Sequence, residues 1–103
     1  MEKMIIKILT ASQWADFQAA GVFEGSAFDQ ADGFIHFSTA DQLAGTLEKH
    51  YAEQADLTIL EVDESFFEDT PDALRWEVSR GGEKFPHLYA SLPMAAVTKS
   101  YNV

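Results

Sequence analysis

Eight consecutive residues, Asp32-Gly-Phe-Ile-His-Phe-Ser-Thr39, restrict the folds open to this chain more than any other stretch. Asp32-Gly33 signals a turn, Phe34 to Phe37 alternates with the period of a strand, and Ser38-Thr39 followed by Gln42 reads as a helix start. Successive strand side chains point to opposite faces, so His36 shares a face with Phe34 and Ser38 while Ile35 and Phe37 take the other. A helix opening just beyond adds unpaired N–H groups and about half a positive charge, which suits an anionic ligand group. The same residues also describe a core strand running into a capped helix, with His36 hydrogen-bonded for structural reasons.

A chain of 103 residues is expected to form one domain, residues 1–103, that buries a core without help from metal or disulfides. Hydrophobic residues make up 47%, including eight Phe, so the composition is that of a folding chain. The lack of cysteine excludes disulfides, thiolate catalysis and Cys-ligated zinc, and fits a reducing cytoplasm. Met1 to Lys7 holds too short an apolar run for a signal peptide, and no stretch approaches the roughly 20 apolar residues of a membrane span. The expectation is a soluble, cytoplasmic protein. With 7 Lys and Arg against 17 acidic residues the formal charge is −10. That balance argues against bulk nucleic acid, whose affinity is built from several Lys or Arg contacts. A small anionic or nucleotide ligand held locally by Lys7, Arg75, Arg80 or Lys84 remains open.

Along the chain, Met4 to Leu9 is apolar and β-branched except for Lys7 and predicts a buried strand. Lys7 is then either a solubilising charge at a sheet edge or a cation pointing into a cleft. Thr10 caps a helix over Ala11 to Ala20, which Gly21 ends. Val22 to Ala31 reads as a loop or irregular strand, from the turn formers Gly25, Ser26 and Asp29; Ser26 is a candidate ligand contact there. Leu43, Leu47 and Tyr51 recur every four residues in a helix over Ala40 to Tyr51 that packs on a sheet, with His50 as a surface residue at its end. Strands are predicted over Leu57 to Val62, Ala73 to Val78, Phe85 to Tyr89 and Ala95 to Tyr101, with Leu92-Pro93 as a turn. Pro86 should confine its run to an edge, a bulge or a strand start. Asp63 to Asp72 is an acidic connection anchored by Phe66 and Phe67.

Three strand-like segments bring candidate chemistry: His36 and Ser38, Arg75 and Glu77, His87 and Tyr89. Neighbouring strands would gather them on one concave face. There Arg75 binds an anion, Glu77 orients a hydroxyl or stabilises a developing cation, and a His assists proton transfer. The structural alternative is an Arg75–Glu77 pair contributing under about 1 kcal/mol at the surface. No metal site is expected, since His-Glu-x-x-His spacing is absent, and neither a phosphate loop nor a dinucleotide fingerprint occurs. A Ser38-His36-Glu77 triad lacks the Gly-x-Ser-x-Gly elbow.

At these positions the chain resembles the bacterial proteins grouped as domain of unknown function 952. The motifs are Ile6-Lys7-Ile8, Asp32 to Thr39, Leu74-Arg75-Trp76-Glu77 and Phe85-Pro86-His87-Leu88-Tyr89, and together they cover nearly the whole chain. That family looks like a small relative of the ADP-ribosyltransferase fold. Ile35-His36-Phe37-Ser38 is similar to the His-Leu-Ser segment of RNA 2′-phosphotransferases, which use nicotinamide adenine dinucleotide (NAD). The resemblance implies an α+β fold, a small split mixed β-sheet with two main flanking helices, and a cleft holding His36 and Ser38 where relatives hold the dinucleotide. Lys7 is the nearest equivalent of the Arg or His that such transferases carry on their first strand; Glu77 is nominated as their late catalytic Glu by its chemistry.

Two functions follow as expectations. In the first, a nucleotide such as NAD occupies the cleft and its ADP-ribose is transferred. Arg75 and the helix N-terminus at Ser38 and Thr39 hold phosphate, Tyr89 packs on a base or nicotinamide, His36 and His87 supply hydrogen bonds, and Glu77 stabilises the oxocarbenium-like state. In the second, the chain is a non-catalytic interaction domain that offers its acidic surface at Asp63 to Asp72 to a partner.

Overall fold

The computed structural model describes residues 4–103, apart from the side chain of Arg80. Strand β1, Met4–Leu9, is buried on both faces: Ile5 and Leu9 join one core cluster, Ile6 and Ile8 another. Helix α1, Ala11–Ala20, opens on a reciprocal capping box, in which Thr10 Oγ1 accepts from the Gln13 N–H and the Gln13 side chain accepts from the Thr10 N–H. It ends where Gly21 takes a left-handed φ of 78°. Next come β2 (Val22–Phe23), α2 (Ala27–Asp32), β3 (Ile35–His36) and α3 (Leu43–His50). The second half runs through β4 (Thr58–Asp63), a 3-10 turn (Glu64–Phe67), β5 (Leu74–Val78), β6 (Lys84–Leu88), β7 (Leu92–Pro93) and β8 (Val97–Asn102).

The strands form sheets in the orders β1-β4-β8, β2-β7 and β3-β6-β5. The first and third meet at one point. Phe37 donates its N–H to the Pro86 carbonyl on β6, whereas the next residue, Ser38, exchanges both backbone hydrogen bonds with Ile6 on β1. The chain thus passes from one sheet to the other between Phe37 and Ser38, and the sheet splits on either side. The larger core cluster includes Ile5, Phe17, Phe23, Ile35, Phe37, Leu60 and Leu88; the smaller one packs β1 and β4 under Leu43, Leu47 and Tyr51 of α3.

The α+β class and the split sheet are as expected, with four differences of detail. Every pairing among the described strands is antiparallel, not mixed. Three α-helices flank the sheets instead of two, because Val22 to Ala31, expected as a loop or irregular strand, holds the short strand β2 and then most of α2. Leu92-Pro93 is a strand: its short pairing with Val22 and Phe23 is invisible to periodicity. Pro86 lies on the central strand of its sheet. It is tolerated because its carbonyl is still used by Phe37, while the N–H it lacks would face β3, which ends at His36. Among the described residues no helix is long and apolar enough to cross a membrane.

Phe66 and Phe67 test the core assignment as neighbours, since they are 48% and 6% exposed. Phe67→Ala is expected to cost about 3–5 kcal/mol in urea denaturation. Phe66→Ala should cost well under half as much.

Candidate functional site

The site is built around Asp29, a charged residue only 1% exposed. Ser26-Ala-Phe-Asp29 closes a capping box at the start of α2: Ser26 Oγ accepts from the Asp29 N–H at 3.1 Å, and Asp29 Oδ2 accepts from the Ser26 N–H at 2.9 Å. Gly25 precedes it with a φ of 106°, and a Cβ there would lie 2.9 Å from Asp29 Cβ. Only glycine lets the backbone pass so close. From β3, the His36 N–H and ring Nδ1 reach Asp29 Oδ1 at 3.2 and 2.6 Å. From β1, Lys7 Nζ donates to Asp29 Oδ2 at 2.9 Å, to Oδ1 at 3.2 Å and to the His36 carbonyl at 2.9 Å. The ammonium is thus held between the Asp29 carboxylate and the His36 carbonyl. Of the two positions open to Lys7, the structure takes the inward one, with the residue 5% exposed.

Burial alone would raise the Asp29 carboxyl. The hydrogen bond from His36, the Lys7 charge and the bonds from Ser26 and Lys7 outweigh it and hold the group well below the usual carboxylate range. For Lys7 burial is the largest influence and draws the ammonium below the ordinary Lys value, against the pull of the Asp29 charge and hydrogen bond. Asp29 is the fixed anion to which the donors are tied. Because a carboxylate only accepts, His36 donates from Nδ1, and its Nε2 is directed to Asp32 Oδ2 at 3.0 Å.

This network borders a cleft of about 770 Å³ between β1, α2, β3, α3 and β6. Lys7, Ser26, His36, Ser38 and His87 line it, together with Asp29, Asp32, Thr46, Lys49, His50 and Tyr51. Ser26 acts here as a helix cap. Ser38 is buried and shares a 3.0 Å hydrogen bond with Thr46 Oγ1, while the carboxylate on the inner side of His36 is Asp29, so Ser38, His36 and Glu77 do not form a triad. Thr39 stands outside the lining; it caps the turn before α3 by exchanging hydrogen bonds with Gln42. Burial, and secondarily the Asp29 charge, raise the Tyr51 hydroxyl above its ordinary value and keep it a donor.

Arg75, Glu77 and Tyr89 share a face with His87 but lie beyond the cleft lining. Glu77 Oε1 accepts from Tyr89 OH at 2.6 Å and from His87 Nδ1 at 2.8 Å. Those bonds, Tyr89's first, hold Glu77 below the ordinary carboxylate range, and the same contact raises Tyr89. Arg75 places its guanidinium 4.5 Å from the Tyr89 ring centre and donates from Nε to the Asp72 carbonyl, and acts on Glu77 through its charge, the smallest of the influences that lower that carboxyl. His87, 5% exposed, belongs to both groups. Aromatic rings join them: Phe34 lies 4.1 Å from His87, 4.6 Å from His36 and 5.1 Å from Tyr89, and Phe28 stacks on His36 at 4.8 Å.

Sequence reasoning missed Asp29, Asp32, Thr46 and Tyr51 as site residues. A signal for Asp29 was present in the Ser-x-x-Asp spacing before Gly33, which marks a short capped helix. His50, expected as a surface residue, is exposed and also lines the cleft. Among the described residues no group of three His, Asp or Glu is placed to hold a metal ion.

A family described as "Protein of unknown function (DUF952)" matches residues 8–100. The chain belongs to that family. It is also similar to protein CC0527 from Caulobacter crescentus, with 44% identity. The crystal structure of CC0527 superposes with a TM-score of 0.88 over 96% of this chain and 84% of that one. The solution NMR structure of CC0527 gives 0.84 over 97% and 84%. No curated protein matches. The DUF952 fold is therefore established, and its chemistry has to be read from the cleft.

Lys7→Met leaves Asp29 buried without its cation and is expected to cost about 3–5 kcal/mol in chemical denaturation. The Lys7→Met/Asp29→Leu double variant should recover part of that loss. The Asp29 pKa is depressed on folding, so the unfolded state binds its proton more tightly. Its contribution is complete above the ordinary value of 3.8 and fades as pH falls below it toward the folded value. The stability gap between the native chain and Asp29→Asn should stay constant from pH 7 to about pH 5 and then narrow as acid is added.

Proposed function

We propose that the cleft binds a small ligand bearing a planar ring and an anionic group, a nucleotide such as NAD, with transfer of ADP-ribose as the reaction it would serve. The observation that carries this reading is the buried Lys7–Asp29–His36 network. A buried ion pair is a weak source of stability, because desolvation offsets much of its attraction. Here it instead fixes the orientation of an imidazole at the wall of a cleft. The cleft volume, about 770 Å³, falls within the roughly 300–1,000 Å³ usual for small-molecule sites.

Each part of the ligand has a counterpart. Phe28, 62% exposed, and the His36 ring stacked on it offer a face to a base or nicotinamide. Lys49, in the last turn of α3, supplies positive charge to phosphate, and His50 beside it lines the same part of the cleft. His36 is assigned the hydrogen-bonding or proton-transfer role, with Asp29 holding the ring from behind. Glu77 works through His87, whose tautomer it selects, and is a positioning residue in this reading. Asp32, at the cleft wall, is then the carboxylate placed to face a developing oxocarbenium ion. The absence of thiol chemistry suits a cytoplasmic setting.

Titration of the isotope-labelled chain with NAD, followed by backbone-amide NMR, tests the proposal. The expected outcome is saturable shifts clustered at residues 29, 32–38, 46–51 and 87, with affinity reduced at least about tenfold in a folded His36→Ala variant. An unchanged spectrum at millimolar NAD would refute it.

A further inference from the structure

Strand β5 is the outer strand of the β3-β6-β5 sheet. Its register with β6 sets Arg75 opposite His87 and Glu77 opposite Phe85, and the Pro86 carbonyl between them is taken by Phe37 on the β3 side. Alternation along antiparallel strands therefore turns the N–H and C=O groups of Leu74, Trp76 and Val78 away from β6, toward an open edge. Trp76 is 37% exposed and Val78 65%. Beside this edge runs a groove of about 420 Å³, lined by the apolar residues Phe67, Pro71, Leu74 and Trp76 and by Glu64 and Glu68. Glu64 Oε1 accepts from the Trp76 indole N–H at 3.2 Å, while its Oε2 is buried with no hydrogen-bond partner among the described residues. A carboxylate oxygen in that condition is short of a cationic donor.

The surroundings specify the sign of a partner. No Lys or Arg occurs between Lys49 and Arg75, whereas Glu64, Glu68, Asp69 and Asp72 fall close together next to β5. We propose that this edge docks an extended, Lys/Arg-rich segment of another protein, which adds a strand alongside β5 and brings one basic side chain to the Glu64 carboxylate in the groove wall. Main-chain hydrogen bonds to Leu74, Trp76 and Val78 give the attachment, and the acidic groove selects the side chains. A second copy of this chain fits poorly, since two bodies of formal charge −10 would meet through their acidic sides. The docking edge involves none of the cleft-lining residues.

The test titrates the labelled chain with a blocked peptide alternating Lys with Val, and with the same peptide carrying Glu in place of Lys. The Lys peptide is expected to produce saturable shifts at the amides of Leu74, Trp76 and Val78 and at the Trp76 indole. Glu64→Gln should weaken this binding about tenfold. Val78→Pro removes an outward N–H while sparing the ladder to β6, and should reduce binding at least as much. Three results would overturn the proposal: no shifts at β5, equal shifts with the Glu peptide, or β5 shifts that grow with protein concentration before any peptide is added. The last would make the occupant a second copy.

Discussion

The buried carboxylate of Asp29 holds together segments that the chain keeps far apart. It accepts from the Lys7 side chain on β1, from the Ser26 backbone at the start of α2, and from both the backbone and the ring of His36 on β3. In a medium of low polarity such bonds strengthen one another, and losing any donor leaves charge without compensation. The position of α2, the inward turn of Lys7 and the orientation of His36 thus share one cause. A cleft wall assembled in this way is defined by electrostatics more than by apolar packing, which distinguishes it from the two core clusters on either face of β1.

How much could be read in advance depended on the range of the interaction. β1, α1, β4, β5, β6 and β8 were legible because their signals are local: β-branched runs, alternation, and a capping Thr10 answered by Gly21. The turn-strand-helix order around His36 was legible for the same reason, although α3 starts at Leu43, after the Thr39–Gln42 turn has used the residues expected to open it. Two-residue strands such as β2 and β7 carry no period and exist only through their partners. Pro86 was misplaced because the rule for proline in sheets assumes a neighbour on both sides along the whole strand, and β3 is too short to supply one. Lys7 could be narrowed to two positions; its choice depended on Asp29, 22 residues away, which no pattern in the chain connects to it.

The sharing of faces was predicted better than the sharing of space. His36, His87 and Arg75 stand opposite one another across three adjacent strands, as alternation requires. Yet the row is wider than one ligand site, and Arg75 with Tyr89 falls beyond the cleft while His87 remains in it. Glu77 reaches the cleft only through the His87 ring. Likeness to CC0527 establishes the common fold and leaves the chemistry to these particular side chains.

The passage of the chain from β6 to β1 between Phe37 and Ser38 has a mechanical consequence. A protein that closes over its ligand usually does so by turning two bodies about a flexible joint. Here the joint lies just past β3, where the successive residues Phe37 and Ser38 are hydrogen-bonded to different sheets, with Ile6 and Ser38 bonded in both directions. Prising the sheets apart would break those bonds in the middle of the core. The opening between them is accordingly framed by backbone that belongs to both sheets, and side chains such as Asp32 and Phe28 form its lining.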